Sequence, residues 1–167
     1  MTPEILCAKG FKIIADHTTD EIYDLDLLLL PGDRGTRPLV EGTPFLKWVK
    51  EQPKKSKWVG SICTGGLILN NAGLINSREV TTHLAFANNL QKLNPNIKVS
   101  KEKCHTLDEP ITTAAGIIAG IDLALHFVEI FYGRERANHT SKYMQYSPIA
   151  PFEFDLEAEV MFPKKSY

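Results

Sequence analysis

Two short apolar runs, each stopping abruptly at a turn of small residues, constrain this sequence more than any other feature. Asp26 to Leu30 ends at Pro31-Gly32, and Trp58 to Ile62 ends at Cys63-Thr64-Gly65-Gly66. An apolar run of strand length without polar alternation marks a parallel strand buried on both faces, and parallel strands need long crossovers between them. The intervening segments have that character. Thr43 caps a helix through Glu51, with Pro44 at its first position, where a missing N–H costs little. Gly65 to Ala72 is apolar and helical and closes at Gly73. A further helix runs from about His83 to Leu93. Gly116 to Tyr132 places Ile117, Ile121, Ala124, Leu125, Val128 and Phe131 at helical spacing and ends at Gly133. Arg78 to Thr81, Ile97 to Ser100 and Ile111 to Thr113 read as strands, with the Asp108-Glu109-Pro110 turn before the last. Arg134 to Met144 reads as a final helix, and the chain from Ser147 reads as irregular. Strands alternating with helices predict a mostly parallel central sheet with helices on both faces, a flavodoxin-like α/β sandwich. Such sheets bind ligands at the carboxyl ends of their strands.

The 167 residues form a single domain in this reading, since neither a repeat nor a linker interrupts the pattern. Lys and Arg total 19 against 20 Asp and Glu, without a concentrated basic face, which argues against a nucleic-acid partner. The longest apolar stretch, Gly116 to Tyr132, contains Asp122, His126 and Glu129. It is therefore a core helix, and no membrane association is expected. Cys7, Cys63 and Cys104 are odd in number and have no Cys-x-x-Cys spacing, and no secretory signal opens the chain. These features fit free thiols in a reducing, cytoplasmic setting.

Ser61-Ile62-Cys63-Thr64-Gly65-Gly66 is the motif with chemical content. A turn between a buried strand and a helix pushes one side chain outward at the carboxyl edge of the sheet, and small neighbours relieve its strain. Cys63 there faces unpaired N–H groups and the positive end of a helix, which favour the thiolate. The alternative is a buried, inert cysteine ending a strand. Pro31 to Arg37 follows the other central strand. Its backbone N–H groups could stabilise an oxyanion in the same crevice, or it is a plain Gly/Pro turn. His83, after Thr81-Thr82, is either a proton donor or acceptor beside the thiolate or a surface capping group. Asp122, His126 and Glu129 share one helix face. No fourth ligand accompanies them, so they are read as a polar stripe and no metal site is assigned.

Taken together these pieces resemble the ThiJ/PfpI family of the class I glutamine-amidotransferase-like superfamily. The matching segments are Leu27–Gly32, Ser61–Gly65, Ala72–Leu74, Val80–His83 and Thr113–Leu125, in family order from about residue 9 to residue 152. The Cys-Thr-Gly elbow, Ala-Gly-Ile-Asp and the ending Gln145–Phe152 are most similar to isocyanide hydratases and to the sensor domains of some AraC-type regulators. No DNA-binding domain is expected after that ending. The resemblance implies that Cys63 is the nucleophile of a hydratase or hydrolase acting on a small molecule, without a cofactor. In such hydratases the cysteine attacks the isocyanide carbon, and water converts the thioimidate to a formamide. His83 matches a histidine near the nucleophile, Thr64 lines the pocket, and the backbone around Gly32, Asp33, Thr64 and Gly65 forms the anion pocket. A non-catalytic redox or ligand sensor, or a degenerate paralogue, is the alternative.

Two departures from the family pattern stand out. Asp33 replaces the second glycine of the Pro-Gly-Gly turn, placing a carboxylate beside the thiolate unless Arg34 or Arg37 neutralises it. The first strand and helix of the family, with the acid that contacts the cysteine, have no counterpart, because Glu4, Asp16 and Asp20 do not occupy that motif. The expectation is thus an N-terminally shortened domain whose sheet edge is met by a second copy, as a homodimer with unusual pairing, or by a rearranged N-terminal segment.

Overall fold

The computed structural model describes residues 4–7, 10–22 and 24–147. The Pro148–Phe152 part of the family-like ending lies outside the described residues. The elements in chain order are β1 (Glu4–Leu6), β2 (Lys12–Ile14), β3 (Leu25–Leu30), α1 (Pro44–Glu51), β4 (Ser56–Ile62), α2 (Gly66–Asn71), β5 (Glu79–Val80), α3 (Leu84–Leu93), β6 (Lys98–Val99), β7 (His105–Asp108), β8 (Ile111–Ala114), α4 (Ile117–Tyr132) and α5 (Arg134–Tyr143). The central sheet has the order β3-β4-β8-β7, while β1-β2 and β5-β6 are separate two-stranded pairs. β3, β4 and β8 run parallel, and β7 is antiparallel to β8.

Alternation along the strands divides the interior into two layers. Leu28, Leu30, Val59 and Ile111 face a core built with Leu46 and Val49 of α1, Ile68 and Leu69 of α2, and Leu90 of α3. Leu27, Leu29, Trp58, Ile62 and Ala114 face Ala119, Leu123 and Phe127 of α4 on the other side, and α5 packs on α4. The predicted α/β sandwich with helices on both faces is therefore present. Among the described residues no helix is long and apolar enough to cross a membrane.

Several local expectations need correction. The run at Asp26–Leu30 packs on both faces but is not fully buried: only Leu30 is completely covered, and Asp26 is exposed. The reason is position. Among the described residues β3 has β4 as its one neighbour, so its other edge is open. The Asp108-Glu109-Pro110 turn closes a hairpin, because His105–Asp108 forms a strand the sequence did not announce. The cap was legible: Thr43 Oγ1 accepts the Leu46 N–H at 3.2 Å, with Pro44 opening α1.

The register fixes where chemistry can occur. Leu30 lies opposite Ser61, and Ile62 lies opposite Ala114. The chain therefore leaves β3 and β4 side by side at one edge of the sheet. The Pro31–Asp33 turn and the Cys63–Gly65 turn become neighbours there.

Candidate functional site

Cys63 is the first residue after β4 and has φ 58°, a left-handed conformation uncommon for a side-chain-bearing residue. A single 3₁₀ turn, Cys63–Gly65, then leads into α2. Thr82 Oγ1 donates to the Cys63 carbonyl at 2.7 Å and holds the elbow from the side of α3. Cys63 is half-buried. Among the described residues no carboxylate is hydrogen-bonded to Cys63, whose carbonyl accepts from Thr82.

The two turns interlock through glycines and one hydroxyl. A side chain at Gly32 would place its Cβ 2.5 Å from Thr64 N and 2.6 Å from Thr64 Oγ1, so these backbones touch only because Gly32 lacks one. Gly65 in the same way lies against the Leu30 carbonyl and Pro31. Across this seam the Asp33 N–H donates to Thr64 Oγ1 at 2.9 Å. That amide is therefore not aimed at open space, as a simple oxyanion donor would be. It polarises the threonine hydroxyl, whose own hydrogen remains available to a ligand.

Asp33 has φ 122° and ψ −175°, a region essentially reserved for glycine. Two hydrogen bonds keep it there: Thr36 N and Thr36 Oγ1 donate to the Asp33 carbonyl at 3.1 and 2.7 Å. The turn then continues as a 3₁₀ helix, Arg34–Val40, with Thr36 buried. Backbone strain of this kind costs about 1–3 kcal/mol. Asp33→Gly is therefore expected to stabilise the protein by about 1 kcal/mol, after allowing for the greater chain entropy of glycine when unfolded. For a chain of this size that raises the thermal midpoint by about 2–4 °C. A midpoint that stays level or falls would mean that the aspartate side chain makes compensating interactions.

These pieces enclose a cavity of about 340 Å³ lined by Cys63, Thr64, Leu67, Asp33, Arg34, Thr36, Arg37, Ala85, Phe86 and Asn89. Cys63, Asp33 and Thr64 are thus brought together, and Gly32 and Gly65 form the seam beneath them. His83 is the N-cap of α3, where Nδ1 accepts the Ala85 N–H at 3.2 Å, and it is not among the lining residues. Any proton transfer by this ring would have to run through Nε2. The Thr81–His83 segment reaches the elbow through Thr82. Phe86, Asn89 and Leu67 were not singled out from sequence. Their signal was available in principle, since Phe86 and Asn89 lie three residues apart near the start of the helix that follows His83.

The polar stripe on α4 lies elsewhere. Asp122, His126 and Glu129 line a separate cavity of about 390 Å³ with Cys104 and His105. Asp122 Oδ1 accepts from Tyr146 Oη at 2.8 Å, and Glu129 pairs with Arg134 at 2.6 Å. Partial burial and the hydrogen bond to Asp122 push the Tyr146 phenol up to about 12. Burial, reinforced by His126, holds His105 below the usual histidine range. Among the described residues no three such side chains are arranged to hold a metal ion.

The sequence and fold have counterparts in known proteins. A sequence model of the DJ-1/PfpI family matches residues 2–130. The chain is 31% identical over 149 residues to the isonitrile hydratase of Pseudomonas putida, covering 89% of this chain and 64% of that protein. It is 29% identical over 148 residues to the HTH-type transcriptional regulator CdhR of Pseudomonas aeruginosa, covering 88% of this chain and 43% of the regulator. The chain thus spans less than two thirds of the length of either relative. The crystal structure of a ThiJ/PfpI family protein from Pseudomonas syringae superposes with a TM-score of 0.79 at 25% identity, covering 91% of this chain and 62% of that one.

Proposed function

This chain belongs to the DJ-1/PfpI family, and from that premise we propose that it is a cysteine-dependent hydratase or hydrolase of small molecules, with Cys63 as nucleophile. The observation that carries the reading is the Cys63 backbone at φ 58°, with the half-buried Cys63 lining a cavity that Thr64 also lines. Elbows of this kind hold a nucleophile clear of its own strand and helix. Thiolate is the reactive form, and cysteine reaches it more readily than any hydroxyl.

The similarity to isonitrile hydratase suggests an isocyanide as substrate. The Cys63 sulfur would add to the terminal carbon, which gains a proton and becomes a thioimidate. Water would then add to that carbon, and expulsion of the thiolate would leave the N-substituted formamide. The Thr64 hydroxyl, oriented by the Asp33 N–H, is placed to donate to the nitrogen or to hold the attacking water.

A second reading is favoured by one observation. Among the described residues no carboxylate engages the Cys63 sulfur, and a relative of this chain is a transcriptional regulator. Cys63 would then report oxidation or ligand binding without turnover. One assay separates the two. A panel of isocyanides and α-dicarbonyls is incubated with the protein before and after blocking its thiols with iodoacetamide, with product followed by mass spectrometry. Turnover that disappears on blocking supports the enzyme. No turnover on the panel, combined with selective conversion of Cys63 to sulfenic or sulfinic acid by mild peroxide, supports the sensor.

A further inference from the structure

We propose that the Cys63 pocket takes a small electrophile bearing a carboxylate, and that Arg37 is the residue selecting it. The inference rests on the reading of Cys63 as a reactive thiol and adds the class of molecule that reaches it.

The cavity has two unlike sides. Leu67, Ala85 and Phe86 supply an apolar wall, with the Asn89 amide beside it. The 3₁₀ turn after β3 contributes Arg34, Arg37 and Asp33 to the same cavity. Among the described lining residues two guanidiniums accompany one carboxylate, although the whole chain carries a formal charge of −1. The positive rim is therefore local to the pocket, not a sample of a basic surface.

Arg37 is the stronger of the two candidates, because Arg34 is already engaged by another contact. Its neighbour Thr36 is 5% exposed and is tied to the Asp33 carbonyl through both backbone and side chain, so the Arg37 stem starts from a fixed point. Among the described residues Arg37 makes no ion pair, in contrast to Arg78 and Arg134. A planar guanidinium fits a carboxylate through two parallel hydrogen bonds. A ligand held this way would lay its remaining atoms along Leu67 and Phe86, in the same small cavity as the sulfur. A volume of about 340 Å³ suits a small molecule and not a polymer segment.

Iodoacetate and iodoacetamide test this directly. In each case the thiolate sulfur bonds to the methylene carbon as the carbon–iodine bond breaks and iodide departs. The two reagents match closely in size and leaving group and differ mainly in charge. Labelling rates at Cys63 are read by peptide-resolved mass spectrometry, with the exposed Cys104 as internal reference and glutathione as the free-thiol standard. The iodoacetate-to-iodoacetamide ratio at Cys63 is expected to exceed that of glutathione. Arg37→Gln should lower it about three- to tenfold, the size expected for one partly screened charge contact. Arg37→Lys should keep most of the preference, Arg37→Glu should push the ratio below that of Arg37→Gln, and the Cys104 ratio should not move. A Cys63 ratio indifferent to Arg37→Gln and Arg37→Glu overturns the inference and leaves the reactive thiol standing. A Cys63 that neither reagent labels, under conditions that label Cys104, overturns the proposed function and this inference with it.

Discussion

Cys63→Ser is expected to lower kcat/KM by at least about 10³-fold on any substrate the native chain turns over, a loss of about 4 kcal/mol of transition-state stabilisation. The expectation depends on what does not surround the sulfur. A serine nucleophile needs a general base within hydrogen-bond reach, because its hydroxyl is not ionised near neutral pH. Among the described residues no carboxylate is hydrogen-bonded to Cys63, and His83 Nδ1 is occupied by the Ala85 N–H. Cysteine alone can supply some anion without a base. Serine would keep the shape of the elbow and lose its chemistry. Thermal denaturation should therefore barely change while activity disappears. Retention of a tenth or more of the native kcat/KM would show that a base reaches this position after all, and the single-nucleophile reading would have to be abandoned.

The parts of the fold legible in sequence are those in which local chemistry and tertiary structure agree. Thr43-Pro44 opens α1 because the cap and the ring are satisfied locally. The elbow at Cys63 was legible because an apolar strand ended at small residues, and Gly65 and Gly66 leave little other choice. What failed to show depends on partners distant in sequence. The His105–Asp108 strand is short and mostly polar, and its pairing with Ile111–Ala114 defines it. The 3₁₀ helix at Arg34–Val40 contains Gly35 and Pro38, which read as an irregular turn, and it is fixed by Thr36 reaching back to Asp33. The unusual backbone of Asp33 has more than a local cause. The Thr36 bonds hold its carbonyl, and its N–H is tied to Thr64, 31 residues away. Hence the Cys63 elbow was visible, whereas the 3₁₀ form of the neighbouring Asp33 turn was not.

That dependence on distant contacts is most testable at Gly65, where alanine is expected to cost about 4 kcal/mol of stability, an unusually large effect for one added methyl group. Backbone conformation is not the reason: Gly65 has φ −58° and ψ −21°, ordinary values for alanine. The obstacle is steric. A Cβ there would overlap the Leu30 carbonyl oxygen and come within 3.0 Å of the Leu30 carbonyl carbon and 3.1 Å of Pro31 C. All three are backbone atoms, so no rotamer change relieves the overlap. Either β3 and β4 separate at their carboxyl ends or the elbow lifts away. Both movements pull Thr64 from the Asp33 N–H and open the seam at Gly32, so stability and Cys63 chemistry should fall together. Gly73 provides the contrast. It has φ 75° and open space for 4 Å around the point a methyl group would occupy. Alanine there carries only the cost of a left-handed residue, about 1–2 kcal/mol. Urea denaturation of the two variants, combined with Cys63 labelling rates, distinguishes contact from conformation. If Gly65→Ala lost less stability than Gly73→Ala and labelled at the native rate, the two turns could not be locked together, and the positioning of Cys63 would need another cause.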